Sequence, residues 1–341
     1  MEDQQPPVPV PAASAEDAGL AQVRYRIAAI DQAASEYLRE QRPANTQRSY
    51  AGDWRLWCHY CAQVGIASRD VSPGTLVGLV LWLEQGQHRH DRAPAAPATI
   101  RRRVYGTLAA LRADGVAVPD GVAGQAHEAI AAYERRLAAT GEQRGRGKAP
   151  VVTVHQLRAI CAELPDTLAG HRDRALLLLG FALAARRDEL AHLSVGDIQT
   201  EPQGLVVAIR YSKTAARTVA IPHGRRSATC PVTAWHTWAA EAGLHSGRAF
   251  RSIDRHGNPG DSLTAHGIGA AITRSGETAG LLTRITAHSL RAGLATEARR
   301  AGHDPHAIAT QGGWAGNSAA LHGYLRTVDQ WGDNALVRIG L

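Results

Sequence analysis

Lysine is almost absent from this sequence. Of its 38 lysines and arginines, only Lys148 and Lys213 are lysines. A general preference for arginine accounts for most of this. It also singles out the two lysines, because arginine replaces lysine on most surfaces but not where a proton must leave the side chain. Cysteine is sparse as well: Cys58, Cys61, Cys161 and Cys230. Cys58-His59-Tyr60-Cys61 has C-x-x-C spacing, but no second pair stands at metal-ligand spacing. Trp54, Trp57 and Cys61 share one helical face, so packed thiols are expected there rather than a zinc or redox site. The longest apolar run, residues 175–185, is too short to cross a bilayer. The N-terminus carries Glu2 and Asp3 and no base before Arg24, unlike a secretory signal. These absences give the expectation of a reducing, cytoplasmic setting with no membrane partner. There is no repeat of solenoid period. Gly145-Arg146-Gly147-Lys148 lacks the glycine spacing and the following Ser or Thr of a Walker loop.

What is present suits a globular chain with a polyanionic partner. The 341 residues are enough for two domains with sizeable cores, at 44% hydrophobic and 20% charged. A net charge of +7 and a pI near 9.6 favour nucleic acid or another anionic surface over an acidic protein.

The pattern divides into a Pro- and Ala-rich tail over residues 1–24, a helical domain over 25–138, a basic Gly- and Arg-rich linker over 139–152 and a second domain over 153–341. Four helices are expected in the first domain. Asn45 or Thr46 caps one; Ser72-Pro73 starts the next; residues 98–115 and 124–137 form the others. In the second domain one buried helix is expected over 172–193. Then the period changes. Residues 205–211 and 218–221 alternate like strands, which puts Lys213 at the turn of a hairpin. Helices return after Pro231. Asp304-Pro305 gives an N-cap and Pro at N1, Gly312-Gly313 a stop, and Asn317 or Ser318 a cap for the last helix.

The candidate chemistry lies in this second domain. His288 and Arg291, three apart on a helix, share a face. Together they can hold two oxygens of one phosphate. Trp314 and Tyr324 follow. Upstream, Arg186-Arg187-Asp188-Glu189 ends the apolar helix. This is either a solvated C-terminus, where cations suit the dipole, or an inward Arg186 oriented by Glu189. Taken singly, His288, Trp314, Tyr324 and Lys213 each have plain readings: a packed or surface histidine, two core aromatics, a turn kept soluble. His88-Arg89-His90-Asp91 reads as a polar loop between helices rather than a metal site.

In order, Arg186-Arg187-Asp188-Glu189-Leu190, Ser212-Lys213-Thr214, His288-Ser289-Leu290-Arg291, Gly313-Trp314 and Tyr324-Leu325-Arg326 resemble the tyrosine recombinase (phage integrase) family. The resemblance covers the second domain. It extends more loosely to the first, through Thr46-Gln47-Arg48-Ser49-Tyr50 and Thr99-Ile100-Arg101-Arg102. It implies a mostly α fold with a small antiparallel sheet in an integrase-like catalytic domain, preceded by a four-helix, SAM-like core-binding domain. It implies site-specific recombination of DNA through a 3′-phosphotyrosine on Tyr324, with Arg186 and Arg291 clamping the phosphate. His288 or nearby groups would take the phenolic proton, and Lys213 would serve as acid to the leaving 5′-oxygen. Trp314 stands where many members carry histidine; its indole can donate but cannot act as a base. Glu189 would orient Arg186 or the hairpin. No metal or cofactor is implied, since two arginines replace the cationic clamp.

The implied partner is double-stranded DNA with inverted-repeat sites, held in a C-shaped clamp by a homo-oligomer, a tetramer on synapsed DNA. Arg48, Thr99, Arg101, Arg102, Arg103 and Lys148 are the expected DNA contacts. Nothing ahead of the helices resembles an arm-binding domain. The apolar set Trp331, Leu336, Val337 and Ile339 packs either on its own domain or on a neighbouring protomer. Alternatives of another class are an accessory DNA-binding protein without the chemistry, or a related tyrosyl-transfer topoisomerase or resolvase.

Overall fold

The computed structural model describes residues 15–145, 147–213 and 215–329. Trp331, Leu336, Val337 and Ile339 lie outside the described residues, as do Arg146, Thr214 and residues 1–14. The chain divides into two compact units between Gly147 and Lys148.

The first unit is helical: α1 (Ala15–Glu40), α2 (Ala44–Val64), α3 (Pro73–Glu84), α4 (Pro97–Ala113) and α5 (Gly124–Thr140). The sequence sets several of these ends. Ser72 and Thr75 form a reciprocal capping box, with Pro73 inside the first turn of α3. α2 and α5 both stop at left-handed glycines, Gly65 and Gly141. Trp57, Leu76, Leu79, Leu83, Ile100, Leu111 and Ile130 are fully buried together. Each such side chain contributes about 1.5–3 kcal/mol. Cys61 sits in this core, and burial raises its thiol to about 11, which makes it an inert packed group.

Three expectations change here. Residues 15–24, read as tail, are the start of α1, so this unit has five helices among the described residues rather than four. The described side chains of α1 are exposed, including Leu20, Ile27, Ile30 and Tyr37, and none of them joins the core cluster. α2 begins before Asn45 and Thr46. Pro43 is its N-cap, and Asn45 instead accepts a hydrogen bond from Arg48. The linker is helical through Thr140.

The second unit begins with α6 (Val154–Glu163), α7 (Leu168–Ala182) and the short α8 (Arg187–His192). A three-stranded antiparallel sheet follows in the order β1 (Ile198–Glu201), β2 (Gly204–Ile209), β3 (Arg217–Pro222). The chain closes with α9 (Pro231–Glu241), α10 (Ala265–Thr278), α11 (Ala287–Arg300), α12 (Pro305–Gly312) and α13 (Ala319–Asp329). α7 is the spine, with Leu176, Leu177 and Leu179 buried against Trp238, Phe250, Ile268 and Leu290. β3 pairs with β2 so that Ile221 meets Leu205, Val219 meets Val207 and Arg217 meets Ile209. A second, smaller cluster of Ala295, Ile308, Ala309, Leu321 and Leu325 ties α11, α12 and α13 together, with Trp314 and Tyr324 packed on it.

The single helix expected over 172–193 is broken. α7 ends at Ala182, and Ala184 turns left-handed at φ 45°. The chain then restarts with Arg186 as the N-cap of α8. No glycine or proline between 181 and 190 announces the break. Hydrogen bonds from Ala184 N to Phe181 O (2.9 Å) and Ala185 N to Gly180 O (3.0 Å) hold the turn. Arg186 therefore opens a helix instead of ending one. β1 also went unread, since its burial pattern leaves only Ile198 inside. No described helix is long and apolar enough to cross a membrane.

Candidate active site

Glu189 is the hub of the site. It is 3% exposed, on the first turn of α8. Its carboxylate accepts from the Arg186 backbone N–H (3.0 Å), Arg186 Nη1 (2.6 Å), Ser212 Oγ (2.8 Å) and Arg217 Nη2 (2.9 Å). Burial alone would raise the carboxyl. The hydrogen bonds from Arg217, the Arg186 backbone and Ser212, with the Arg217 charge, reverse this and hold it at about 2. One carboxylate thus holds Arg186, Ser212 in the loop between β2 and β3, and Arg217 at the start of β3.

Arg291 is the second cation, 5% exposed on α11. The helix starts where it does because Thr286 and Ser289 form a capping box. Arg291 Nη1 donates to the carbonyls of Ala184 and Gly312, the latter at 2.6 Å. The broken turn after α7 therefore supplies an acceptor that a continuous helix would have used internally. The Arg291 guanidinium lies 3.7 Å from the centre of the Trp314 ring, and Tyr324, half-buried, meets that ring edge-on at 6.4 Å. Arg291 Nη2 is buried with no partner among the described residues. Burial first, then the charges of Arg186 and Arg217, pull Arg291 down to about 9, which leaves it a cation at neutral pH.

His288, one turn earlier, is exposed. Partial loss of water around the ring, then the charges of Arg291, Arg186 and Arg187, hold its imidazole below the ordinary value. A neutral imidazole can accept a proton. Lys213 is exposed on the loop after β2. Ser212 before it and Arg217 after it both donate to Glu189.

Arg217 was missed in the sequence. It is the first residue of β3, and its side chain is 9% exposed. Besides Glu189 it donates to Leu183 O at 3.2 Å. A signal existed: at period two, Arg217 falls in register with Val219 and Ile221, the buried face of β3.

The expected DNA contacts are scattered in their local chemistry. Arg101 pairs with Glu134 at 3.1 Å and Arg102 with the buried Asp53 at 2.5 and 2.8 Å. Arg48 bonds Asn45, and Thr99 lies half-buried in the first turn of α4. Arg103 is half-buried, its Nε and Nη1 without partners among the described residues. Lys148 belongs to the second unit, where its Nζ would stand 3.2 Å from a Cβ built on Gly323.

Chemically, the cluster offers a buried guanidinium with an unpartnered donor, a second guanidinium locked by a carboxylate, a neutral imidazole and a phenol. Donors of this kind match the non-bridging oxygens of a phosphate. Among the described residues no group of three or more His, Cys, Asp or Glu is placed to hold a metal ion.

Residues 150–330 match the phage integrase family. The chain is 31% identical over 321 residues to an integrase/recombinase xerD homolog of Selenomonas ruminantium, covering 90% of this chain and 88% of that protein. Among solved structures it is similar in fold to XerH site-specific recombinase bound to a palindromic difH substrate in a post-cleavage complex (TM-score 0.56, 16% identity, 83% of this chain and 75% of that one). It is also similar to a lambda integrase dimer bound to a COC' core site (TM-score 0.55, 14% identity, 85% and 74%).

Proposed function

The chain belongs to the phage integrase family of tyrosine recombinases, and from that premise we propose that it cuts and rejoins double-stranded DNA at specific sites through a covalent bond to Tyr324. In this reading Tyr324 Oη attacks the scissile phosphorus and the P–O5′ bond breaks. The products are a 3′-phosphotyrosine and a free 5′-hydroxyl. His288 takes the phenolic proton, and Lys213 gives one to the departing oxygen. Attack by another strand's 5′-hydroxyl reverses the step and releases Tyr324. The phosphoester energy is conserved, so no nucleotide is consumed. Arg186 and Arg291 hold the non-bridging oxygens and stabilise the charge that grows on them. Trp314 positions Arg291 through its ring face.

The observation that carries this reading is the buried Arg291 with an unpartnered Nη2, stacked on Trp314 beside Tyr324. The first unit serves as the core-binding domain, with phosphate contacts that make affinity salt-dependent. The substrate is a pair of inverted repeats around a short spacer. Two protomers occupy each site and four form the synapse, in keeping with the lambda integrase dimer seen on its core site. The test is suicide DNA nicked next to the cleavage point. Wild type should become trapped as a protein–DNA adduct that survives denaturant, and Tyr324→Phe should give none. An adduct that persists in Tyr324→Phe would refute the assignment. Relaxation of supercoiled DNA of any sequence would point to a topoisomerase instead.

A further inference from the structure

Arg217 sits outside the set of residues to which the proposed chemistry gives a role, yet the structure ties it to that set through Glu189. Its guanidinium joins the start of β3 to Glu189 and to Leu183 O in the turn between α7 and α8. On the other side of the lysine, Ser212 Oγ reaches the same carboxylate. The loop that carries Lys213 is therefore pinned before and after the lysine to one residue, which also holds Arg186. The stem of Arg217 extends this connection toward Trp314. A Cβ on Gly313 would stand 2.9 Å from Arg217 Cδ, and Gly313 has φ 62°, so the turn into Trp314 closes over the arginine only because it is glycine.

The bonds to Glu189 and Leu183 O engage only Nη2 of this guanidinium. Arg217 Nε and Nη1 are buried without partners among the described residues. Such donors cost free energy, although Nη2 pairs with Glu189.

We propose that Arg217 is a positioning residue for Lys213: with Ser212 it fixes both roots of the lysine loop on Glu189, and so sets where the proton donor stands relative to the phosphate held by Arg186. The inference rests on the recombinase reading. Its consequence is specific to one half of the reaction. Loss of Arg217 should slow the departure of the 5′-oxygen, which needs Lys213's proton, far more than the attack of Tyr324.

A substrate that needs no proton separates the two. With sulfur in place of the bridging 5′-oxygen, the leaving group is a thiolate, stable near neutral pH without an acid. Cleavage of oxygen and sulfur suicide substrates is measured for wild type, Lys213→Ala, Arg217→Met and Arg217→Lys, with thermal midpoints recorded for each. Arg217→Met should lose about 10²-fold or more on the oxygen substrate, the worth of a general acid. On the sulfur substrate it should stay within roughly threefold of wild type, as Lys213→Ala should. The double variant should be no slower on oxygen than Lys213→Ala alone, because both changes remove one function. Arg217→Lys keeps a charge against Glu189 and should fall between, which keeps the test open if Arg217→Met does not fold. Equal slowing of Arg217→Met, or of Arg217→Lys if only that variant folds, on both substrates overturns the inference. Failure of wild type on both overturns the recombinase reading itself, and the inference with it.

Discussion

Asp53 on α2 and Glu189 on α8 are buried to almost the same degree, each against arginine, yet their acidities move in opposite directions. Asp53 is raised: burial dominates, and its bidentate partner Arg102, which is half-exposed, only partly offsets it. Glu189 is lowered to about 2, because two guanidiniums, a hydroxyl and a backbone N–H converge on it. Depth does not decide the charge state of a buried carboxylate; the number and rigidity of its donors do. Arginines of both units keep buried donors unpartnered among the described residues, Arg103 in the first and Arg217 and Arg291 in the second, but only in the second does such an arginine, Arg291, stack on a tryptophan beside a tyrosine.

The largest effect is expected at Arg291. Arg291→Ala should lower strand cleavage about 10³-fold, as expected when a donor to developing charge is removed. Arg101→Ala should leave the single-turnover rate at saturating DNA unchanged. The next test exchanges the carboxylates for their amides. Glu189→Gln should cost about 3 kcal/mol in urea unfolding, because it leaves Arg217 and Arg186 without their counter-charge. Asp53→Asn should cost about 1 kcal/mol or less, since burial already disfavours its charge. Equal costs would show that the two sites do not differ as described.

A third test uses pH. The folded value of Glu189 lies below its unfolded value of 4.5, so its contribution is present above 4.5 and is lost as pH falls toward about 2. Asp53 has the opposite sign: its folded value lies above 3.8, and protonation favours the folded state as pH falls through that region. Glu189→Gln should therefore flatten the acid limb of the stability curve, while Asp53→Asn should steepen it slightly. His288 gives a related signature in activity. With its imidazole held below 6.5, the acid limb of single-turnover cleavage should lie below that pH, and Arg187→Ala should move it upward. The smallest effect concerns binding. If Arg101 contacts a phosphate despite its pairing with Glu134, Arg101→Ala should reduce the slope of log K against log salt by about 1. An unchanged slope would assign Arg101 to its ion pair alone.

Much of this architecture was legible in the sequence, for identifiable reasons. The starts of α3 and α12 are written in single residues, Ser72-Pro73 and Asp304-Pro305, and the structure uses both as caps. The hairpin around Lys213 follows from alternation that the observed register repeats. The misses have different causes, and the first depends on contacts distant in sequence. The break before Arg186 carries no glycine or proline and exists because Gln311 and Arg291 reach the carbonyls of Ala182 and Ala184 from elsewhere in the chain. α1 is a second case. Its first turns continue the Ala-rich composition of the tail, and none of its described side chains joins the buried core of its unit, so a reading from composition began the domain too late. Arg217 stayed hidden because arginine in a strand looks like a surface residue, and only its phase with Val219 and Ile221 shows which way it faces.

The alanine at 184 also bears on how stiffly the site is aimed. Left-handed backbone costs alanine about 1 kcal/mol more than glycine, but the alanine well is also narrower. The peptide that follows it presents the carbonyl on which Arg291 rests. Glycine at 184 would relax the turn while letting that carbonyl swing through a wider arc, so its gain in comfort would reappear as play in the guanidinium above. In mechanical terms the alanine is a short, hard spring under Arg291, and its strain is what keeps the mounting from rattling.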